Sequence, residues 1–322
     1  MEYRPLGNTG IGVSVISFGA GPVAGLMTNP QRADDQRCTI ARAIELGINW
    51  FDTAATYGEG GSEECLGRTL SQLGKSQQVH IATKVRLPPD ELHDIPGYIR
   101  CSVEASLQRL RVPSITLLQL HNSITVRRGD LATSVTPADV LDGGVLRTFE
   151  QLQSEGLVQH LGLTALGDPK SLSTVLHSRR FSAVQIPYNV LNPSAGRDMP
   201  ADFAESNLGN LLATCQELNV GAMAIRVYAG GALAGQAPSQ HTLTTKFFPL
   251  DLYQRDQARA AALQQRLPTG MTLPEVAVRF VLGHPVVTSA LIGFGSPQEV
   301  EQAVAYAERG PLAEDEYVEC PH

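Results

Sequence analysis

The sequence predicts one α/β domain folded as a (β/α)8 barrel, the TIM-barrel architecture, and three observations predict it. Eight short runs rich in Val, Ile, Leu and Thr recur along the chain, several of them apolar on both alternating faces, as strands buried on both sides require. Segments of helical spacing lie between the runs, and each parallel strand needs such a crossover to reach the next. No linker, repeat or low-complexity stretch breaks the 322 residues, a length that such barrels fill alone. An open doubly wound sheet is the alternative, but it usually has fewer units.

Taken in order, residues 1–12 with "YRPLGNTG" read as a small hairpin that closes the barrel floor. The eight strands are "VSVISFG", "INWFDTA", "VHIATKV", "ITLLQLH", "LGLTA", "AVQIPYN", "GAMAIRV" and "TSALIGF". Helical spacing joins Ile40, Ala43 and Ile44, with Gly47 placed to end that helix. The same spacing joins Val103, Leu107 and Leu110 before Pro113, and Val145, Phe149 and Leu152 before Gly156. Leu211, Cys215 and Leu218 repeat likewise, as do Val300, Ala303, Val304 and Ala307. Three connections run long, 122–144, 188–208 and 226–251, after the fourth, sixth and seventh strands. Loops at that end of a barrel are where its chemistry is kept.

Charge and composition exclude several classes of partner. The net charge is −7 with no long run of one sign, which argues against nucleic acid or an anionic membrane. The opening "MEYRPLGNTG" lacks the apolar core of a signal peptide, and no stretch is long enough to span a bilayer. Five scattered cysteines (Cys38, Cys65, Cys101, Cys215, Cys320) form no C-x-x-C pair, so free thiols in a reducing cytoplasm are expected. Cys320 is third from the end and does not fit a prenylation box, and Arg128-Gly129-Asp130 is read as chance. The sequence leaves the oligomeric state open.

The stretch "VISFGAGPVAG" spells G-x-G-x-x-A, the phosphate-binding turn of a dinucleotide fold. That turn needs a helix directly after it. Here Gly25, Asn29 and Pro30 punctuate the chain, and helical spacing begins only near Ala33 to Gln36. The expectation is therefore a glycine-rich loop leaving a buried strand.

Polar residues end the next strands. Asp52 closes the second and runs into "TAATYGEGG", which carries Tyr57; Lys84 closes the third and His121 the fourth. In a barrel these ends share one face, so the four side chains converge. Lys84 is the least ordinary, because lysine occurs only at 75, 84, 170 and 246, and an ammonium at the end of an apolar strand needs an acid beside it. The group suits proton transfer coupled to hydride transfer. A free tyrosine has a pKa of about 10, and a nearby cation favours its phenolate. Asp52 would keep Lys84 charged, Tyr57 would exchange the proton, and a neutral His121 would orient a substrate oxygen. No metal-ligand spacing is visible, so the hydride must come from an organic cofactor.

At these residues the sequence resembles the aldo-keto reductase family, from "YRPLGNTGIGVSVISFG" through "GINWFDTAATYGEGGSEECLGRTL", "IATK", "LLQLHN" and "VQIPYNVLNP" to "LIGFGSPQEVEQA". The resemblance implies a (β/α)8 barrel that binds an extended nicotinamide dinucleotide, NAD or NADP, with a catalytic tetrad of Asp52, Tyr57, Lys84 and His121. It places Gly19 to Pro22, with Ala20 and Gly21, beside the nicotinamide, together with Asp52, Thr164 and Gln185. It assigns the pyrophosphate to "RVYAGGALAG" through Arg226, Val227, Tyr228, Gly231 and Leu233. The adenosine end falls to Gly293, Phe294, Gly295, Ser296, Glu299 and Gln302.

Two departures from the family's pattern bear on the cofactor. Many members carry Ser-Asn where this chain has Thr164-Ala165, so the amide is lost. Members that prefer NADP often carry Arg where Glu299 stands, and no Lys or Arg lies between 280 and 308. An acid beside a phosphate dianion is repulsive by about 1 kcal/mol, which favours NAD. "LDGGVLRTFEQLQSEGLVQHLGLT" looks like the branch that resembles L-galactose and D-threo-aldose 1-dehydrogenases, so the expected substrate is a small carbonyl compound or a sugar hydroxyl. Arg127, Arg128, Asp130 and Asp139 in the long loop offer groups for a polyol or form a solvated surface. Two other readings stay open: a Schiff-base lyase using Lys84, and a slow-turnover module that senses redox state through its bound cofactor.

Overall fold

The computed structural model describes residues 1–203, 205–245, 250–313 and 316; Lys246 and Cys320 lie outside the described residues. An antiparallel hairpin comes first, β1 (Tyr3–Pro5) with β2 (Gly12–Ser14). Eight parallel strands follow. They are β3 (Ile16–Gly19), β4 (Trp50–Asp52), β5 (His80–Val85), β6 (Ile115–Leu120), β7 (Val158–Thr164), β8 (Ala183–Pro187), β9 (Gly221–Ile225) and β10 (Val287–Gly293). They close into a barrel in the order β10-β3-β4-β5-β6-β7-β8-β9, as the eight apolar runs predict.

The helices are α1 (Ala33–Glu45), α2 (Gly61–Leu73), α3 (Ile95–Leu110), α4 (Pro137–Leu141), α5 (Val145–Ser154) and α6 (Pro169–His177). They continue with α7 (Leu211–Leu218), α8 (Gln240–Thr244), α9 (Leu250–Gln264), α10 (Leu273–Gly283) and α11 (Pro297–Glu308). The five helical patterns lie in α1, α3, α5, α7 and α11. Five helices start with one device: Asp94, Thr136, Asp168, Thr272 and Ser296 accept a hydrogen bond from the third residue of α3, α4, α6, α10 and α11, and a proline sits in each first turn. Among the described residues no helix is long and apolar enough to cross a membrane.

The core has two parts. Between strands and helices, Phe18, Phe51, Phe149 and Phe294 are fully buried, and the Phe18 and Phe51 rings stack with centroids 5.3 Å apart. Each such side chain contributes about 1.5–3 kcal/mol by leaving water. Inside the barrel, Trp50, Ala82, Leu117, Ala183 and Met223 form an apolar layer, and Leu6 and Val13 of the hairpin seal it from below. Arg4 fixes the hairpin by donating to the carbonyls of Leu282 and Val287 at 3.0 and 2.9 Å.

Alternation along a strand then decides what lies above this layer. Two residues past Trp50, Ala82, Leu117 and Ala183 stand Asp52, Lys84, Gln119 and Gln185. One step along the strands changes the interior from apolar to polar. Gly162 makes room for that step, because a Cβ there would lie 3.1 Å from the Gln119 side chain and 3.2 Å from that of Leu117.

Candidate active site

Asp52 is the hub of the polar layer. One carboxylate oxygen takes the Lys84 ammonium, and the other accepts from the Gln119 amide at 3.0 Å and the Gln185 amide at 2.5 Å. Lys84 also donates to the Thr53 carbonyl at 2.7 Å and reaches the Tyr57 hydroxyl at 3.4 Å. The side chains of Lys84 and Asp52 are 1% and 3% exposed, so the pair is fully withdrawn from water.

Tyr57 and His121 sit above this pair. Tyr57 lies in a tight turn after β4, its amide bonded to the Ala54 carbonyl at 3.0 Å, with Gly58 and Gly60 at positive φ behind it. Its ring meets that of His121 edge-on, with centroids 5.7 Å apart and planes at 82°. The Thr56 hydroxyl lies 3.5 Å from His121 Nδ1. The first βα loop closes the far side, where a Cβ on Gly21 would stand 3.7 Å from the Tyr57 ring. The four residues that the strand ends promised therefore share one mouth.

Burial sets the protonation of this group. It alone would lower the Lys84 ammonium, but Asp52 and Tyr57 outweigh it and the net direction is up, so Lys84 stays charged. Burial pushes the Asp52 carboxyl up, against the pull of Lys84, Gln119 and Gln185. The pair is charged, because three donors reach the carboxylate and the ammonium has Asp52, the Thr53 carbonyl and the Tyr57 hydroxyl as acceptors. Burial, with the charges of Arg86 and Lys84, holds His121 well below the usual imidazole range, so its ring is neutral.

A cleft of about 1120 Å³ opens over the tetrad. A smaller cavity of about 240 Å³, with Ser76, His80 and Gln159 in its wall, lies among the opposite strand ends, away from this chemistry. The large cleft runs from Tyr57 and His121 past Thr164 and Gln185, along Arg226, Val227, Tyr228 and Gly231, to Gly293, Phe294, Gly295, Glu299 and Gln302. Most residues expected from the sequence thus line one continuous groove, with Gly19, Gly21 and Pro22 among them.

Four expected residues stand behind the wall. Lys84 lies beneath Tyr57. Ala20 is 1% exposed and donates its amide to the Asp52 carbonyl. Leu233 is fully buried, and Ser296 is the cap of α11, accepting from the Glu299 amide at 3.3 Å. In the long loop the second of its two readings, a solvated surface, fits the exposed Arg127 and Arg128 side chains. Arg128 pairs with Asp139 and Arg127 with Asp130, so these groups are spent within the loop, which gives Ala132 and Thr133 to the cleft.

The sequence reading missed Gln119, Arg86, Gln236, His241 and Tyr306. Gln119 and Arg86 carried a signal, each standing two residues from a tetrad member and so on the same face of its strand. Gln236 and His241 belong to a connection without periodicity. Tyr306, on α11, is one turn beyond Gln302 and shares its face.

The groove fits an extended organic cofactor. Its wall holds the Thr164 hydroxyl, which is buried without a hydrogen-bond partner, at the position expected to face a carboxamide. Ala165 is fully buried beside it and offers no amide. The segment after β9 carries Arg226, Ala229, Gly230 and Gly231 at positive φ, the kind of constrained backbone that collects at binding sites. Arg226 is largely buried, with its guanidinium 3.5 Å from Asp256; burial lowers it to about 10.

Comparison with known proteins gives one family. The chain is 28% identical over 312 residues to an L-galactose dehydrogenase of Arabidopsis thaliana, covering 95% of this chain and 88% of that one. An aldo-keto reductase from Bacillus halodurans, in its holo form, superposes with a TM-score of 0.74 at 25% identity over 98% of this chain and 94% of the other. An aldo/keto reductase from Klebsiella pneumoniae, solved with NADP and acetate, shares the fold with a TM-score of 0.68 at 20% identity, covering 98% and 93% of the two chains. The aldo/keto reductase family model matches residues 15–321, through barrel and cleft alike, and the chain is an enzyme of that family.

Proposed function

We propose that this enzyme is an NAD-dependent oxidoreductase that moves a hydride between nicotinamide and a carbonyl or alcohol carbon, with Tyr57 as general acid and base. One observation carries the reading: the Tyr57 hydroxyl lies 3.4 Å from a buried ammonium and opens on the same cleft as a neutral His121. When bound, the nicotinamide supplies or accepts the hydride. Tyr57 gives its proton to the carbonyl oxygen in reduction and takes the alcohol proton in oxidation. The Lys84 ammonium stabilises the negative charge that the phenol oxygen carries when the proton has left. The neutral His121 ring donates a hydrogen bond that orients the substrate oxygen.

On the cofactor side, Thr164 and Gln185 would hold the carboxamide. The bond to Asp52 uses one of the two Gln185 amide N–H donors. Arg226, Val227, Tyr228 and Gly231 would face the pyrophosphate, and Glu299 the adenosine ribose. The Glu299 carboxylate accepts from the Gly295 amide at 2.8 Å, which fixes an acid at that end of the groove. Arg32 reaches the Gly295 carbonyl at 3.2 Å, but its guanidinium is paired with Asp35. NAD should therefore bind more tightly than NADP. Glu299→Ala should narrow the ratio of their dissociation constants by about fivefold, the equivalent of ~1 kcal/mol. A ratio that does not move would remove Glu299 from the ribose.

The likeness to an L-galactose dehydrogenase makes aldose C1 hydroxyls the first substrates to assay, ahead of simple aldehydes. The geometry gives a Schiff base no path, because Lys84 lies below the cleft with its donors on Asp52, Thr53 and Tyr57. The test of the central reading is Tyr57→Phe. It should lower kcat by about 10²–10⁴-fold while the cofactor Kd stays within about threefold. A parent enzyme with bound cofactor and negligible turnover would favour a redox-sensing role instead.

A further inference from the structure

The substrate end of the cleft holds a cation that the tetrad does not use. Arg86 stands two residues past Lys84, just beyond the end of β5, so alternation brings it to the same inward side. Lys84 is sunk beneath Tyr57, whereas Arg86 is half-buried and lines the cleft with Tyr57, His121 and His241. Its charge is felt by the His121 and His241 rings, both of which it helps to keep neutral, and by Tyr57.

The rest of that wall carries no charge and mixes apolar residues such as Ala132 and Leu166 with hydroxyls. Thr56, Thr133 and Thr244 contribute to it. Thr133 is held at φ 58 while its carbonyl accepts from the Asn122 amide at 2.6 Å, and its hydroxyl is buried without a hydrogen-bond partner. A β-branched residue rarely adopts that backbone, so the loop is built to keep it there. Among the described residues the acids of the cleft wall are Asp52 and Glu299. Asp52 is committed to Lys84 and two amides, and Glu299 lies at the opposite end. The field where a substrate must sit is therefore positive.

We propose that Arg86 selects substrates that carry an anionic group, a carboxylate or a phosphate ester, and binds that group while the reacting carbon sits at Tyr57 and His121. The proposal rests on the oxidoreductase reading and names its substrate class. A guanidinium offers five N–H donors in a planar fork, which match two oxygens of a carboxylate or phosphate at once. Such charge-assisted bonds are about twice as strong as those to a neutral hydroxyl.

The test compares matched aldehydes with NADH and NADPH. In the parent enzyme, kcat/KM for 4-oxobutanoate should exceed that for butanal by about 10–100-fold. The ratio should fall toward one in Arg86→Met and recover in part in Arg86→Lys, which keeps the charge but loses the fork. Glyceraldehyde 3-phosphate against glyceraldehyde is the phosphate arm, and the arm with the larger ratio identifies the anion. A parent ratio near one in both arms, or a ratio unchanged in Arg86→Met, overturns the proposal. Calorimetric titration with succinate and with inorganic phosphate reads the anion site without turnover. Succinate binding that Arg86→Met abolishes supports the site even if the hydride reading fails, and failure of the parent to bind either succinate or inorganic phosphate rejects it.

Discussion

At the scale of single residues, the site is organised by one buried ion pair. Lys84 and Asp52 are both withdrawn from water, and the geometry repays that only because Gln119, Gln185 and the Thr53 carbonyl satisfy the remaining positions. Removing one partner leaves the other charge buried and uncompensated. Lys84→Met should therefore cost about 3–5 kcal/mol of stability, and adding Asp52→Asn should restore more than half of it. Urea unfolding of the two variants checks this; a single-variant cost below about 1 kcal/mol would mean that the pair is not desolvated as described. The same substitution takes the cation away from Tyr57. The kcat for oxidation should fall by about 10²-fold or more, since nothing then stabilises the charge that develops on the phenol oxygen, and a kcat within about threefold of the parent would remove Lys84 from that role.

At the scale of elements, each strand has an apolar end and a chemical end, joined by one step of the pleat. The hairpin β1–β2 serves the apolar end alone. Leu6 is fully buried against Trp50 and its neighbours, so Leu6→Ala should cost about 2–5 kcal/mol while kcat/KM stays within about twofold. Chemical denaturation and steady-state kinetics on one preparation check both halves, and a matching loss of kcat/KM would show that floor and mouth are coupled. This division also explains what the sequence made legible. The strands were readable because burial on both faces writes them as continuous apolar runs, and the tetrad because its members interrupt those runs at consecutive strand ends. Helix α2 was not, since it starts after Gly60 in a left-handed conformation with no side-chain cap. Leu233 was matched by position to the pyrophosphate loop, yet the short turns of residues 229–234 rotate it into the core. Gln119 and Arg86 were hidden for a simpler reason: a polar residue gains meaning only when the face it shares with Lys84 or His121 is considered.

At the scale of the whole molecule, closing the barrel fixes the charge state of its histidines. Burial is the leading cause that lowers His80, His121, His160, His241 and His284. Each is held neutral in the folded chain, while the unfolded chain takes up protons below about pH 6.5. The unfolded state then binds more protons, so stability falls as pH drops through 6.5 toward the folded values. Asp256 acts in the opposite sense. Burial raises it to about 6, so the folded chain binds its proton first and gains stability as pH falls from there toward the ordinary carboxylate range. The two effects overlap, and a pH scan of the parent alone would mix them. Comparison with His121→Phe separates them, because His121 is the most deeply lowered of the five and the variant leaves Asp256 in place. Between pH 7.5 and 5.5 the parent should lose about 1.4 kcal/mol more unfolding free energy than the variant, the effect of one proton taken up only by the unfolded chain. Equal losses would mean that the His121 ring accepts a proton inside the barrel, and the neutral hydrogen-bond donor that orients the substrate oxygen would then have to be sought elsewhere in the cleft.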